Sequence, residues 1–142
     1  FGFVPVGGTY YVQVLTWTPD VTIASLICGL LIDTLLVVNN YRDREADARS
    51  GKRTVIVRFG EKFGRYFYLM LGVTASLLCL CFLREGHFYA AFLPQLYLIP
   101  HFLTWKRMVK IYSGKKLNSI LGETSRNMLL MGILIAIGML IN

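Results

Sequence analysis

Two carboxylates and two carboxamides stand close together in the run Asn39-Asn40-Tyr41-Arg42-Asp43-Arg44-Glu45-Ala46-Asp47, and Gly51-Lys52-Arg53-Thr54 follows it. Carboxylate and amide oxygens are hard ligands suited to Mg²⁺, which is usually completed by substrate phosphates rather than by a full protein cage. Lys52, Arg53 and Arg58 nearby would neutralise such phosphates. At about 100° per residue on a helix, Asn40, Asp43 and Asp47 all fall within roughly 100° of Asn39, on one face, and Arg42 points almost opposite to Asn40. A pair spaced Asp-x-x-x-Asp also fits a solvated, charged helix end, and spacing alone leaves both readings open.

The elements that must carry this run are apolar. The chain has 142 residues, 55% of them hydrophobic, against about 45–50% in soluble domains. The excess lies in runs long enough for a bilayer, which takes about 20 residues. The reading along the chain is the tail of one span at 1–16, broken by Pro5, Gly7 and Gly8, then a span at 20–40 started by Pro19-Asp20. A polar connection at 41–65 leads to a span at 66–83, a turn at 84–87 and a span at 88–104 kinked by Pro94 and Pro100. A second basic connection at 105–118 precedes the last span, 120–141, where Gly132 and Ala136 offer a close-packing face. The expected fold is all-α: one polytopic transmembrane helix bundle over 1–142, with four full spans and one partial.

Net charge is +7, and its placement reports topology. Eight basic residues lie between Arg42 and Arg65 and five between Lys106 and Lys116, whereas the connections at Asp20 and at Arg84-Glu85 have almost none. This alternation follows the positive-inside rule and puts both basic connections on the cytoplasmic side of a lipid bilayer. Charges split by apolar spans, with no recognition module, argue against a nucleic-acid partner. Cys28, Cys79 and Cys81 sit in apolar runs and read as small buried hydrophobes. The chain begins in an apolar segment without Met or a signal peptide and reads as a piece of something longer.

Other polar residues fall inside the spans. Asp33 is mid-span, about 20° around the helix from Asn40, and a carboxylate at that depth is a functional candidate or a paired structural group. Tyr10, Tyr11 and Gln13 could line a pocket for an aromatic substrate, or the tyrosines could belong to an interfacial belt. Gln95 and His101 read as helix-packing groups.

The run Asn39–Gly60, NNYRDREADARSGKRTVIVRFG, resembles the second aspartate-rich motif of the UbiA-type intramembrane prenyltransferases. It is most similar to their menaquinone branch, the 1,4-dihydroxy-2-naphthoate polyprenyltransferases, in the patterns N-N-x-R-D-x-x-x-D, G-K-x-T and V-R-x-G. Gly8–Gln13 and the stretch from Leu117-Asn118 through Thr124 agree as well, so the resemblance covers essentially the whole chain. It implies the later helices of a nine-helix fold around a central cavity. It also implies a Mg²⁺-dependent transfer of a polyprenyl group from its diphosphate to dihydroxynaphthoate, with loss of the ring carboxylate as CO₂. In that scheme Asp43 and Asp47, with Asn40, bind the metal. Asn39, Lys52, Arg53 and Arg58 serve the diphosphate, and Tyr10, Tyr11 and Gln13 are candidates for the acceptor. The setting implied is a bacterial inner membrane with the motif in the cytoplasm. The family's first motif has no counterpart here, so the chain alone is expected to be inactive, and Asp33 departs from the family pattern. A transporter fragment or other non-enzymatic membrane protein is the alternative. A CDP-alcohol phosphotransferase is disfavoured, because Asn39 stands where its motif needs Gly and no Asp-Gly lead precedes it.

Overall fold

In the computed structural model, which describes residues 1–141, helices make up the ordered framework and no strand occurs among the described residues. After a π-helical turn at Phe3–Gly8 come α1 (Thr9–Val14), α2 (Pro19–Arg49), α3 (Val55–Leu78), α4 (Phe88–Phe92), α5 (Leu98–Ile111) and α6 (Leu117–Ile141). Three helical stretches are long and apolar enough to cross a membrane: Pro19–Arg49, Val55–Glu85 and Leu117–Ile141.

The local chemistry explains these boundaries. Thr18 caps α2 by accepting from the Val21 amide at 3.4 Å, with Pro19 in the first turn and Asp20 complementing the helix dipole. The helix then runs nine residues past Asn40, because Tyr41–Arg49 contains no Gly or Pro to break it. It stops at Ser50-Gly51, where Gly51 turns the backbone to a φ of 75°. The expected 41–65 connection is thus mostly helix, with only residues 50–54 linking α2 to α3. Thr54 caps α3 through the Val57 amide at 3.3 Å. One turn later Gly60, at φ 87° and ψ 170°, kinks it. That conformation is essentially reserved for glycine.

The expected span at 88–104 is a composite: α4, a 3₁₀ turn at Leu93–Tyr97 and α5. Pro94 removes a backbone donor, and Gln95 repairs the break from its side chain. Its Nε2 donates to the Ala91 and Ser76 carbonyls at 3.0 and 2.9 Å, and its Oε1 accepts from Ser76 Oγ at 2.7 Å. Pro100 sits in the first turn of α5, where a missing donor costs little. α5 continues to Ile111, which shrinks the second basic loop to residues 112–116.

Two apolar clusters join the helices. One, around Val38, Tyr41, Ile56, Tyr68, Met108 and Ile120, supports the polar end of α2. The other, around Ile27, Phe82, Ala90, Tyr97 and Met131, fills the opposite half and includes buried, unpaired Cys79. Between them His101 stacks on Tyr68 and Tyr97 at 4.7 and 5.0 Å. Its Nε2 donates to the Leu69 carbonyl at 3.3 Å, so Nδ1 accepts from the Tyr97 hydroxyl at 2.9 Å. Gln95 and His101 therefore act in packing. Gly132 and Ala136 do not pack closely: both are exposed, and the close approach is made by Gly138 against the backbone of Ala90.

Candidate functional site: the polar end of α2

The last turns of α2 hold the charged run on a helix, and Arg42 is its hub. Its Nε and Nη2 donate to the two carboxylate oxygens of Asp43, each at 2.7 Å. Nη2 also reaches Asn39 Oδ1 at 2.8 Å, and Nη1 reaches Asn118 Oδ1, on α6, at 2.9 Å. One turn on, Asp47 is buried, at 9% exposure. Its Oδ1 lies 3.5 Å from Lys52 Nζ, its carbonyl accepts from the Lys52 amide at 2.9 Å, and its Oδ2 is enclosed without a hydrogen-bond partner. A buried carboxylate oxygen without a protein partner is costly.

A second wall comes from the loop after α5. Tyr112 forms a classic γ-turn, with φ 65° and ψ −54°, closed by the Ser113 amide on the Ile111 carbonyl at 2.7 Å. Such turns are strained, and surrounding contacts must hold them. Here Arg44 and Arg65 stack on the Tyr112 ring at 5.1 and 5.3 Å, and Glu61 lies between them at 3.7 and 3.4 Å. A hydrogen bond to Glu61 pushes the Tyr112 phenol above its usual range. Arg65 Nε donates to Tyr41 Oη at 2.9 Å, and Trp105 Nε1 donates to the Arg65 carbonyl at the same distance. This scaffold sets Ser113, Lys115 and Asn118 across from Arg42, Asp43 and Arg49, enclosing a polar cleft of about 550 Å³.

An apolar groove of about 460 Å³ runs along the membrane part of α2 and α6, lined by Phe1, Ile32, Leu35, Leu36, Leu121, Gly122 and Ser125. It ends at Asn39, the residue whose amide oxygen accepts from Arg42. Asn39 of the groove is thus hydrogen-bonded to Arg42 of the polar cleft, and the two lie next to each other on α2.

The structure assembles part of the set expected from sequence. Asn39, Asp43, Asp47 and Lys52 share the end of α2, and Asn40 is half-buried beside them with no side-chain partner among the described residues. Arg53 and Arg58 line a separate cleft with Val57. Tyr10, Tyr11 and Gln13 do not join the motif. They belong to α1, before the start of α2, and about 30 Å of helix separates Pro19 from Asn39. Asp33 is half-buried and has no side-chain partner among the described residues. Among the described residues no three His, Cys, Asp or Glu side chains converge on one point, so this chain offers a pair of carboxylates rather than a complete cation cage. Sequence reasoning missed Arg42 as the hub, and with it Asn118 and Lys115 as the facing wall. The available signal was Arg42 three residues after Asn39, a spacing that puts both on one helix face.

The UbiA prenyltransferase family matches residues 1–140. The 1,4-dihydroxy-2-naphthoate octaprenyltransferase of Haemophilus influenzae is 34% identical over 145 residues, covering 99% of this chain and 46% of that protein. Proteins of the same name from Escherichia coli and Mycobacterium leprae are 39% and 37% identical over 80 and 78 residues, covering 56% and 55% of this chain and 26% of each relative. The chain thus spans less than half the length of these curated relatives. No solved structure matches it. With three helices of spanning length it is an integral membrane protein, and it belongs to the UbiA prenyltransferase family.

Proposed function

We propose that this chain is the C-terminal portion of a prenyltransferase that moves a polyprenyl group from its diphosphate to 1,4-dihydroxy-2-naphthoate, as the names of its relatives suggest. The observation that carries this reading is the junction at Asn39. A charged cleft beside an apolar groove, linked through the Asn39–Arg42 hydrogen bond, suits an amphiphile with an anionic head and a hydrocarbon tail.

The residues fit a divalent cation as half of its site. Asp47 presents an enclosed, unpartnered oxygen; on α2 Asp43 stands one turn before it and Asn40 about two. Mg²⁺ held by Asp43, Asp47 and Asn40 would supply Lewis-acid neutralisation of the departing diphosphate. Lys52, beside Asp47, and Arg49 and Lys115, across the cleft, add positive charge where phosphate oxygens gather. Arg53 and Arg58 extend that charge along the start of α3. Leu35, Leu36 and Leu121 hold the tail and keep water from the allylic carbon as its C–O bond breaks. The basic loops support a cytoplasmic site at the inner membrane.

The test uses the full-length enzyme in vesicles with labelled prenyl diphosphates and dihydroxynaphthoate. Gly122 has open space around it in the groove. Gly122→Phe should depress transfer from an octaprenyl donor far more than from a geranyl donor. Equal effects on both donors, or no transfer by the wild type, would overturn the assignment.

A further inference from the structure

We propose that Arg42 is a partner-exchanging positioning residue that blocks metal binding at Asp43 until a diphosphate arrives. The proposal rests on the function inferred above and concerns how that site loads.

Arg42 and Asp43 are consecutive on α2, and adjacent residues on a helix do not face each other. Their pairing is nevertheless bidentate, at 2.7 Å for both oxygens. Two amides impose it. Asn39 holds Nη2 from the preceding turn, and Asn118 holds Nη1 from α6, 76 residues away in sequence. So held, the guanidinium covers both oxygens that a metal would use, and its charge repels a cation.

The lock is weak enough to open. The Arg42 and Asp43 side chains are 27% and 37% exposed, and ion pairs that open to solvent contribute little. A diphosphate entering the cleft offers the guanidinium a bidentate anionic partner in exchange for the carboxylate. The Asn118 contact keeps the released head on the cleft wall, beside Lys115. Asp43 is then free to bind metal. Cation and diphosphate must therefore strengthen each other's binding, and by linkage the effect is reciprocal. The device keeps the site from filling with metal alone.

The experiment is Mn²⁺ titration, followed by the electron paramagnetic resonance of free Mn²⁺, of full-length enzyme in detergent, with and without saturating farnesyl thiodiphosphate. The analogue should tighten Mn²⁺ binding to the wild type by about tenfold or more, within the usual range of coupling between sites. Arg42→Gln should bind Mn²⁺ alone about tenfold tighter than wild type, and the analogue should then change its affinity by no more than about threefold. Asn118→Ala, which removes the tether and leaves Arg42 in place, should move both quantities the same way by less. If Arg42→Gln binds Mn²⁺ alone no tighter than wild type, or if it does not fold and Asn118→Ala leaves the coupling unchanged, the exchange is refuted. A different result would bring down the underlying functional reading: Mn²⁺ binding with the analogue that is the same in wild type and in Asp43→Asn/Asp47→Asn.

Discussion

Replacing Asp47 should stabilise the empty protein while destroying its activity. The carboxylate is buried, its Oδ2 has no partner, and its Oδ1 has only Lys52, at 3.5 Å through a side chain that is 62% exposed. An enclosed acceptor without a hydrogen bond costs about 1–3 kcal/mol. The ion pair with so exposed a lysine returns at most about 1 kcal/mol. Asp47→Leu, which has no polar side-chain atoms, should therefore raise unfolding free energy by about 0–2 kcal/mol, the difference of those two contributions when the pair returns its full value. The measurement is reversible unfolding of full-length enzyme in mixed micelles, without divalent cation or diphosphate. Prenyl transfer by the same preparation should fall by about a hundredfold or more, the usual consequence of removing a group that stabilises developing charge. A loss of more than about 1 kcal/mol would mean that the carboxylate has a structural partner and is not a vacant ligand.

Gly60→Ala should cost about 1–3 kcal/mol in the same unfolding assay, because its φ of 87° suits glycine alone although the space around it is open. Gly132→Ala, equally uncrowded but in regular helix, should be neutral or slightly stabilising; similar costs at both sites would refute the conformational argument. In oriented vesicles Lys52 and Lys115 should be cleaved by trypsin from one and the same side, because the end of α2 before Lys52 contacts Asn118 beside Lys115; cleavage from opposite sides would contradict that packing.

Fold class and the grouping of the two basic segments at one end of the bundle were legible in the sequence, because long apolar runs and the placement of Lys and Arg report a membrane directly. Helix ends were not. Polarity changes at Asn39-Asn40, but the strong helix formers Arg, Glu and Ala carry α2 on to Arg49. A hydropathy boundary marks where lipid ends, not where helix ends. Tyr10, Tyr11 and Gln13 read as a second polar group, a candidate acceptor pocket or an interfacial belt, and the span from Pro19 to Asn39 stands between them and the motif in sequence. The small pair Gly132 and Ala136 looked like a packing face, yet Gly138 makes the contact, since spacing alone does not say which side of α6 meets α4. Arg42 escaped notice because its environment is tertiary. Asn39, three residues before it, was a local signal, but its contact with Asn118 on α6 lies 76 residues away, and no spacing in the sequence announces it.

The last prediction concerns the 142-residue chain on its own, which should fold into this bundle yet transfer nothing. Leu26 and Leu36 are exposed along α2, and Asp33 lies between them in mid-span, half-buried and without a side-chain partner among the described residues. A carboxylate at that depth does not face hydrocarbon; it faces protein or a water-filled cavity. This side of α2 is therefore expected to be an internal surface, and the relative from Haemophilus influenzae, of which this chain covers 46%, has further sequence to cover it. The apolar groove beside Leu36 is open along that same side, so a prenyl tail lying there would meet lipid instead of a closed tunnel. Two carboxylates one turn apart leave a cation short of ligands as well. Positioning and charge neutralisation carry most of this chemistry, and both are incomplete here. The measurement is conversion of labelled prenyl diphosphate and dihydroxynaphthoate by the purified chain in vesicles. Turnover comparable to that of a full-length enzyme would show that this face of α2 needs no cover and that a single carboxylate pair is enough.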